Sequence, residues 1–345
     1  MSGSIKWAIL GTSFISGVMA DAIKAQGQST IFGVAGRNTT TLAEFATQYQ
    51  IPHQFSDFDA LINTPEVDVI YIALPNHLHH EYIIKAANAG KAILCEKSLS
   101  VDMQKTTESL DAVTQNKVFF LEGLMYLAHP FMQQLSKTLA TGVIGEVKSI
   151  RGQYCASISQ FVNPASLGAL FNLGCYPASL MQLVMQQQFG TEQSQQYQIE
   201  ATGRRGQDGN ICESTAIVSY SNGVQCHLHT AEDYGLHAGF TILGSLGSIE
   251  FTSNPWLPES QGNHFTVRLY EQEAEVLDVE VVNVEAKGNG FYYQVEAVLN
   301  ALETKQYTVP RPLVQVSDSV DIMQMLTTWH KAALESRAAN HTTEC

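Results

Sequence analysis

Charge is scarce in this chain and unevenly signed: 15% of its 345 residues are charged, with 19 Lys and Arg against 33 Asp and Glu, a formal net charge of -14. Basic runs are missing, which argues against a nucleic-acid or anionic-membrane surface as the main partner, since both are bound through Lys and Arg. Missing too is any apolar stretch of the roughly 20 residues that a membrane span requires. Met1–Lys6 runs straight into a strand without a charged-then-apolar leader, so the expectation is a cytoplasmic protein. Cysteines are few, and Cys95, Cys155, Cys175, Cys212, Cys226 and Cys345 lack any C-x-x-C spacing, which disfavours both a zinc site and a disulfide framework. No internal repeat or low-complexity segment occurs, although Gln-rich Gln186–Gln198 reads as an exposed connection. What is present, 45% hydrophobic residues and 25 Gly, describes a folded protein large enough for two domains.

The two parts have different grammar. From Ile5 to Glu122 short apolar runs alternate with helix-like stretches: Ile5–Leu10 then Ile15–Gln26, Thr30–Ala35 then Thr39–Gln48, Val67–Leu74 then His77–Ala89, Ala92–Cys95 then Val101–Gln115, and finally Val118–Leu121. Val67–Leu74 is apolar at nearly every position, as expected of a central parallel strand covered on both faces. After Gly123 the strands alternate and turn signals appear. Ala216–Tyr220 and Val224–Thr230 flank an Asn-Gly hairpin, Phe240–Leu243 and Ser248–Phe251 flank a glycine turn, and Phe265–Tyr270 with Val276–Val284 add further strands. Gly290–Leu302 and Val316–Glu335 read as amphipathic helices. The expected architecture is a Rossmann domain over residues 1–122, followed by an α+β domain with an antiparallel sheet over 123–345.

Gly11-Thr12-Ser13-Phe14-Ile15-Ser16 follows the first strand where a G-x-G-x-x-G/A fingerprint would stand. Gly11 and small Ser13 suit a tight turn that brings backbone close to a pyrophosphate at a helix N-terminus, although an ordinary strand-to-helix turn has the same local look. At the end of the second strand, Ala35-Gly36-Arg37-Asn38 lacks the acid that would bind a ribose 2'-hydroxyl and carries an arginine suited to a 2'-phosphate. NADP(H) is therefore expected over NAD(H). Leu74-Pro75-Asn76-His77-Leu78-His79-His80 places an amide and imidazoles at the switch-point crevice, with no carboxylate or cysteine at ligand spacing to make a metal site. His227 and His229 alternate on one strand and read as a sheet face. A charged pair, Glu96-Lys97, ends the Ala92–Cys95 strand, the position at which a doubly wound sheet presents chemistry to its ligand.

This ordered set, Glu96-Lys97, then Glu122-Gly123-Leu124-Met125-Tyr126 with His129-Pro130, then Asn172-Leu173-Gly174-Cys175-Tyr176-Pro177, resembles the glucose-fructose oxidoreductase / inositol dehydrogenase / MocA family across nearly the whole chain. The likeness is greatest to the branch of dihydrodiol dehydrogenase, glucose-fructose oxidoreductase and NADP-xylose dehydrogenase. It implies a Rossmann domain, then a large open, mainly antiparallel sheet. It also implies NADP(H) bound by Gly11, Thr12, Ser13, Phe14, Ile15, Arg37, Leu74, Asn76, His79, Glu96 and Lys97. A homodimer or larger homo-oligomer through the C-terminal sheet is implied as well.

Hydride transfer between a carbinol carbon and nicotinamide leaves one proton to move, and Tyr176 with Lys97 suits that task. A phenol of ordinary pKa about 10 becomes useful near neutrality when a cation favours the phenolate. Asn172, four residues before Tyr176, shares its face if the segment is helical, and Pro177 suits a first turn. Asn172 stands where the resemblance expects aspartate, Ser98 where it expects proline and Leu127 where it expects arginine, while Phe161–Ala169 lacks an expected arginine and glycine cluster. An amide cannot carry charge as a carboxylate does. The reading is an NADP(H)-dependent oxidoreductase acting on a sugar, polyol or cyclic diol; the alternative is a catalytically impaired NADP(H)-binding sensor on the same fold. His129 has two readings, a crevice residue or a helix cap, and Glu122 reads as ordering the hinge.

Overall fold

The computed structural model describes residues 4–271 and 276–336; the start of the chain and Cys345, both used above, lie outside the described residues. Two compact units emerge: Met1–Ala128 with Gly290–Val320, and His129–Asn289 with Asp321–Cys345.

The first unit alternates strands and helices: β1 (Ile5–Leu10), α1 (Phe14–Gln26), β2 (Ser29–Ala35), α2 (Thr39–Gln48), β3 (His53–Phe55), α3 (Phe58–Ile62), β4 (Val69–Ile72), α4 (Asn76–Asn88), β5 (Ala92–Glu96), α5 (Met103–Asn116) and β6 (Phe120–Gly123). Its six strands run in the order β3-β2-β1-β4-β5-β6, and every pairing is parallel. β4 and β5 are wholly buried, because a sheet with helices on both faces leaves no polar side for alternation to mark. Trp7, Ile9, Tyr71 and Leu94 centre the core, and Val295, Val298 and Leu299 from far along the chain complete it.

The second unit holds α6 (Pro130–Ala140), β7 (Val147–Ala156), α7 (Cys175–Phe189), α8 (Thr191–Ser194), β8 (Tyr197–Arg205), β9 (Ile211–Tyr220), β10 (Gln225–Ala231), β11 (Leu236–Gly244), β12 (Gly247–Phe251), β13 (Asn263–Tyr270) and β14 (Val276–Val284). The sheet order is β14-β13-β12-β11-β7-β10-β9-β8, antiparallel except between β10 and β7. The chain closes with α9 (Gly290–Glu303) and α10 (Val316–Glu335). Helix α7 lies close against β7: a Cβ on Gly152 would meet the Pro177 side chain at 2.9 Å.

Gln186–Gln198 links α7 to β8 and is exposed at Gln187, Gln195, Gln196 and Gln198, as expected, but it is not structureless: Gln186 is a buried residue of α7 and Thr191–Ser194 is helical.

Candidate active site

In the first unit the polar groups gather at the carboxyl ends of β1, β2, β4 and β5. Gly11 follows β1 with φ of +107°, and a Cβ there would strike the Ala73 carbonyl oxygen at 2.8 Å, so only glycine makes this turn. Its N–H donates to Ala35 O at 2.9 Å, fixing the turn to the end of β2. Thr12 is half-buried and Ser13 caps α1, its backbone N–H donating to Ser16 Oγ at 3.2 Å. Phe14 is 87% exposed, whereas Ile15 packs on the core. No acidic side chain occupies the first turn of α1, so that turn itself does not offset the positive end of the helix dipole.

Arg37 is exposed between β2 and the Asn38 cap of α2, and it has no ion pair with any described residue. Its charge lies near α4, because burial first, then Lys105, Arg37 and His80, push His77 below the ordinary histidine value. Leu74 is half-buried and Asn76, at the start of α4, is buried. His79 is fully buried, its ring nitrogens 2.7 Å from Leu74 O and 2.9 Å from Ser98 O. It thereby ties the β4–α4 loop to the turn after β5. Burial pushes His79 down to about 4, against the opposing pull of those two carbonyls.

Glu96 ends β5 as a buried carboxylate accepting from Tyr71 Oη at 2.7 Å, and burial raises its pKa. Lys97 follows it, half-buried, with a cis Lys97–Ser98 peptide. Glu122, at 1% exposure, accepts from the Leu99 N–H at 3.0 Å and from Ser319 Oγ at 2.6 Å, which joins the stretch after Lys97 to Ser319 within the first unit. Burial pushes Glu122 up to about 7.

In the second unit the segment before α7 is helical, the condition on which Asn172 and Tyr176 are expected to share a face, but Leu170–Gly174 forms a π turn, a geometry frequent at functional sites. Gly168 starts this turn at φ +86°, where a Cβ would overlap Ile211 O, and its carbonyl accepts from the Asn172 N–H at 3.1 Å. Asn172 Nδ2 donates to Glu232 Oε2 at 2.7 Å. Tyr176, 6% exposed, sits in the first turn of α7 with its ring edge-on to Tyr154 at 5.1 Å and 6.0 Å from Trp256. Burial pushes Tyr154 above its ordinary value and pushes Glu232 up to about 7.

His129 resolves as a helix cap: Nδ1 accepts from the Phe131 N–H at 3.1 Å, so Nε2 carries the proton donated to Gly288 O at 3.1 Å. His227 and His229 lie on the open face of the sheet, and among the described residues no group of three or more His, Cys, Asp or Glu is arranged to hold a metal. Thus the expected cofactor residues and Lys97 share the first unit, while Asn172 and Tyr176 share the second. Glu232, Tyr71 and Ser319 were not singled out from the sequence. Glu232 lies 60 residues from Asn172, and no local pattern links them.

Comparison with known proteins places both parts. Residues 5–124 match the oxidoreductase family with an NAD-binding Rossmann fold, and residues 132–250 match the GFO/IDH/MocA C-terminal domain. A trans-1,2-dihydrobenzene-1,2-diol dehydrogenase of Xenopus laevis is 26% identical, covering 96% of this chain and 97% of its own. An uncharacterised oxidoreductase of Rhizobium meliloti is 29% identical over 74% of this chain and 76% of its own. Among solved structures, the 3-ketoreductase KijD10 from Actinomadura kijaniata, in complex with NADP and TDP-benzene, has a TM-score of 0.82 at 21% identity, covering 96% of this chain and 98% of its own. A levoglucosan dehydrogenase in complex with NADH and levoglucosan has a TM-score of 0.79 at 19% identity, covering 96% and 97% respectively.

Proposed function

The chain belongs to the GFO/IDH/MocA family of NAD(P)-binding oxidoreductases, and we propose that it moves hydride between NADP(H) and a secondary alcohol or carbonyl of a sugar, polyol or cyclic diol. The observation that carries this reading is the glycine-only Gly11 turn at a helix N-terminus whose first turn holds no acid, joined by exposed Arg37, which has no ion pair with a described residue. That set fits a dinucleotide: the turn admits a pyrophosphate close to backbone, and the exposed guanidinium suits a 2'-phosphate. Thr12, Ser13, Phe14, Ile15, Leu74, Asn76, His79, Glu96 and Lys97 complete the proposed binding set. The substrate class follows relatives and neighbours that act on dihydrobenzene diol and levoglucosan.

Bound there, the nicotinamide would supply the hydride acceptor or donor. In this reading Tyr176 is the acid/base for the remaining proton, and Lys97 is the cation that would favour its phenolate. Asn172 hydrogen-bonds the same oxygen. Glu122 and His79 hold the turn after Lys97 through Leu99 N–H and Ser98 O. Tyr154 and Trp256 pack around the Tyr176 ring and limit water there.

The open face of the C-terminal sheet supports self-association. It exposes Ile217, paired with His227, beside a cavity of about 470 Å³ lined by Arg151, His227, His229 and His237. A cytoplasmic location is part of this reading, and the described cysteines Cys95, Cys155, Cys175, Cys212 and Cys226 are all buried. No described helix is long and apolar enough to cross a membrane.

The test is Tyr176→Phe. Turnover should fall at least about a hundredfold, the usual scale of a lost acid/base group, while NADPH affinity stays within a factor of two or so of wild type. A variant keeping most of its turnover would reject the assignment.

A further inference from the structure

Glu232 sits immediately after β10 on a braced backbone. Its N–H donates to Cys212 O at 2.9 Å, and its carbonyl accepts from Ile158 N–H at 2.8 Å and Ser159 N–H at 2.9 Å. The side chain is 2% exposed, with Asn172 Nδ2 at 2.7 Å as donor. The neighbouring cation is committed elsewhere. Arg204 gives two N–H bonds to Asp233, at 2.7 and 2.9 Å, and one to Glu213 at 2.8 Å, while Glu213 also accepts from Tyr234 Oη. Glu232 therefore faces Asn172 with Asp208 and Asp233 as the nearby like charges.

The consequence follows from the chemistry of an amide. An ionised carboxylate only accepts, so it requires the amide to turn Nδ2 toward it, which directs Oδ1 elsewhere. A protonated carboxyl can donate to Oδ1, which permits the amide to rotate and direct Nδ2 elsewhere. An alcohol substrate offers a donor and needs an acceptor; a carbonyl substrate needs the reverse. We propose that Glu232 is a positioning residue that sets which end of the Asn172 amide meets the substrate oxygen, and so which form of the substrate, alcohol or carbonyl, is held more tightly. This rests on the oxidoreductase reading above. Burial, with Asp208 and Asp233 adding to it and Asn172 opposing, brings the carboxyl to about 7, so the selection changes across neutral pH.

The experiment compares kcat/KM against pH for oxidation and reduction in wild type, E232Q and the exchanged pair N172D/E232Q, with NADPH affinity and near-ultraviolet circular dichroism as folding controls. Infrared titration of the protonated-carboxyl band runs alongside on wild type and E232Q. Wild-type oxidation should rise through about pH 7, in step with a carboxyl band that E232Q lacks. E232Q should lose that limb and about tenfold in oxidation above it, the scale of one charge-assisted hydrogen bond. N172D/E232Q should restore oxidation by returning charge to the pair. A wild-type pH profile in E232Q, or a carboxyl titration above the ordinary range that E232Q leaves unchanged, would overturn the role of Glu232 while leaving the oxidoreductase reading intact. Absence of turnover in the wild type would overturn both.

Discussion

Glu122→Gln isolates the cost of a buried carboxylate beneath the proposed cofactor end. Glu122 is 1% exposed, and burial raises it from the ordinary 4.5 to about 7. Between those values the folded chain binds more protons at this site than the unfolded chain, so stability falls as pH rises through the window and is level above it. A displacement of this size corresponds to about 3 kcal/mol, or roughly 4 °C in Tm for 345 residues unfolding together. Glutamine has the same shape. Its Oε1 can still accept from the Leu99 N–H, and its Nε2 can donate to a reoriented Ser319 hydroxyl. It carries no charge at any pH. Thermal unfolding of both proteins from pH 4.5 to 8 should show the variant gaining on wild type by about 4 °C across the window and no further beyond it. Parallel curves would refute a carboxylate ionising against burial at this position.

Arg37→Ala should weaken NADPH binding by about tenfold or more and leave NADH unchanged in a fluorescence titration, since it removes a charged partner of the 2'-phosphate alone. Gly11→Ala forces a Cβ toward Ala73 O in a left-handed conformation, so it should cost about 1–3 kcal/mol in urea unfolding and reduce affinity for both nucleotides. Gly152→Ala presses on Pro177 and Phe240 and should cost about 1–3 kcal/mol in the same assay, lowering turnover with NADPH affinity retained. Light scattering of the purified protein should give at least twice the 37.8 kDa chain mass; a monomer would reject association through the open sheet face.

The parts legible in the sequence are those written in local pattern. β4 and β5 announce themselves as apolar runs because both faces are buried, and Ser221-Asn222-Gly223 marks the β9–β10 hairpin because its turn demands those residues. Central strand β7 carries no such mark. Its burial is irregular, with Arg151 exposed and Gly152 buried against α7. The glutamines at 186–188 look like linker by composition, yet Gln186 is buried at the end of a helix. Nor does composition signal that Val295, Val298 and Leu299 return to the first core, since an amphipathic helix does not name the surface it covers. The candidate residues divide in the same way. Gly11, Arg37 and Glu96-Lys97 stand at strand ends, where a local pattern singles them out, whereas the Asn172–Glu232 and Glu122–Ser319 contacts join positions 60 and 197 residues apart.

The most direct test of the account is nicotinamide absorbance on mixing the purified protein with NADP+, and separately NAD+, against a panel of aldoses, polyols and cyclic diols. The account predicts turnover with at least one class and a higher kcat/KM for NADP+. Saturable NADPH binding without turnover on any substrate would contradict it and leave the chain as a nucleotide-binding sensor.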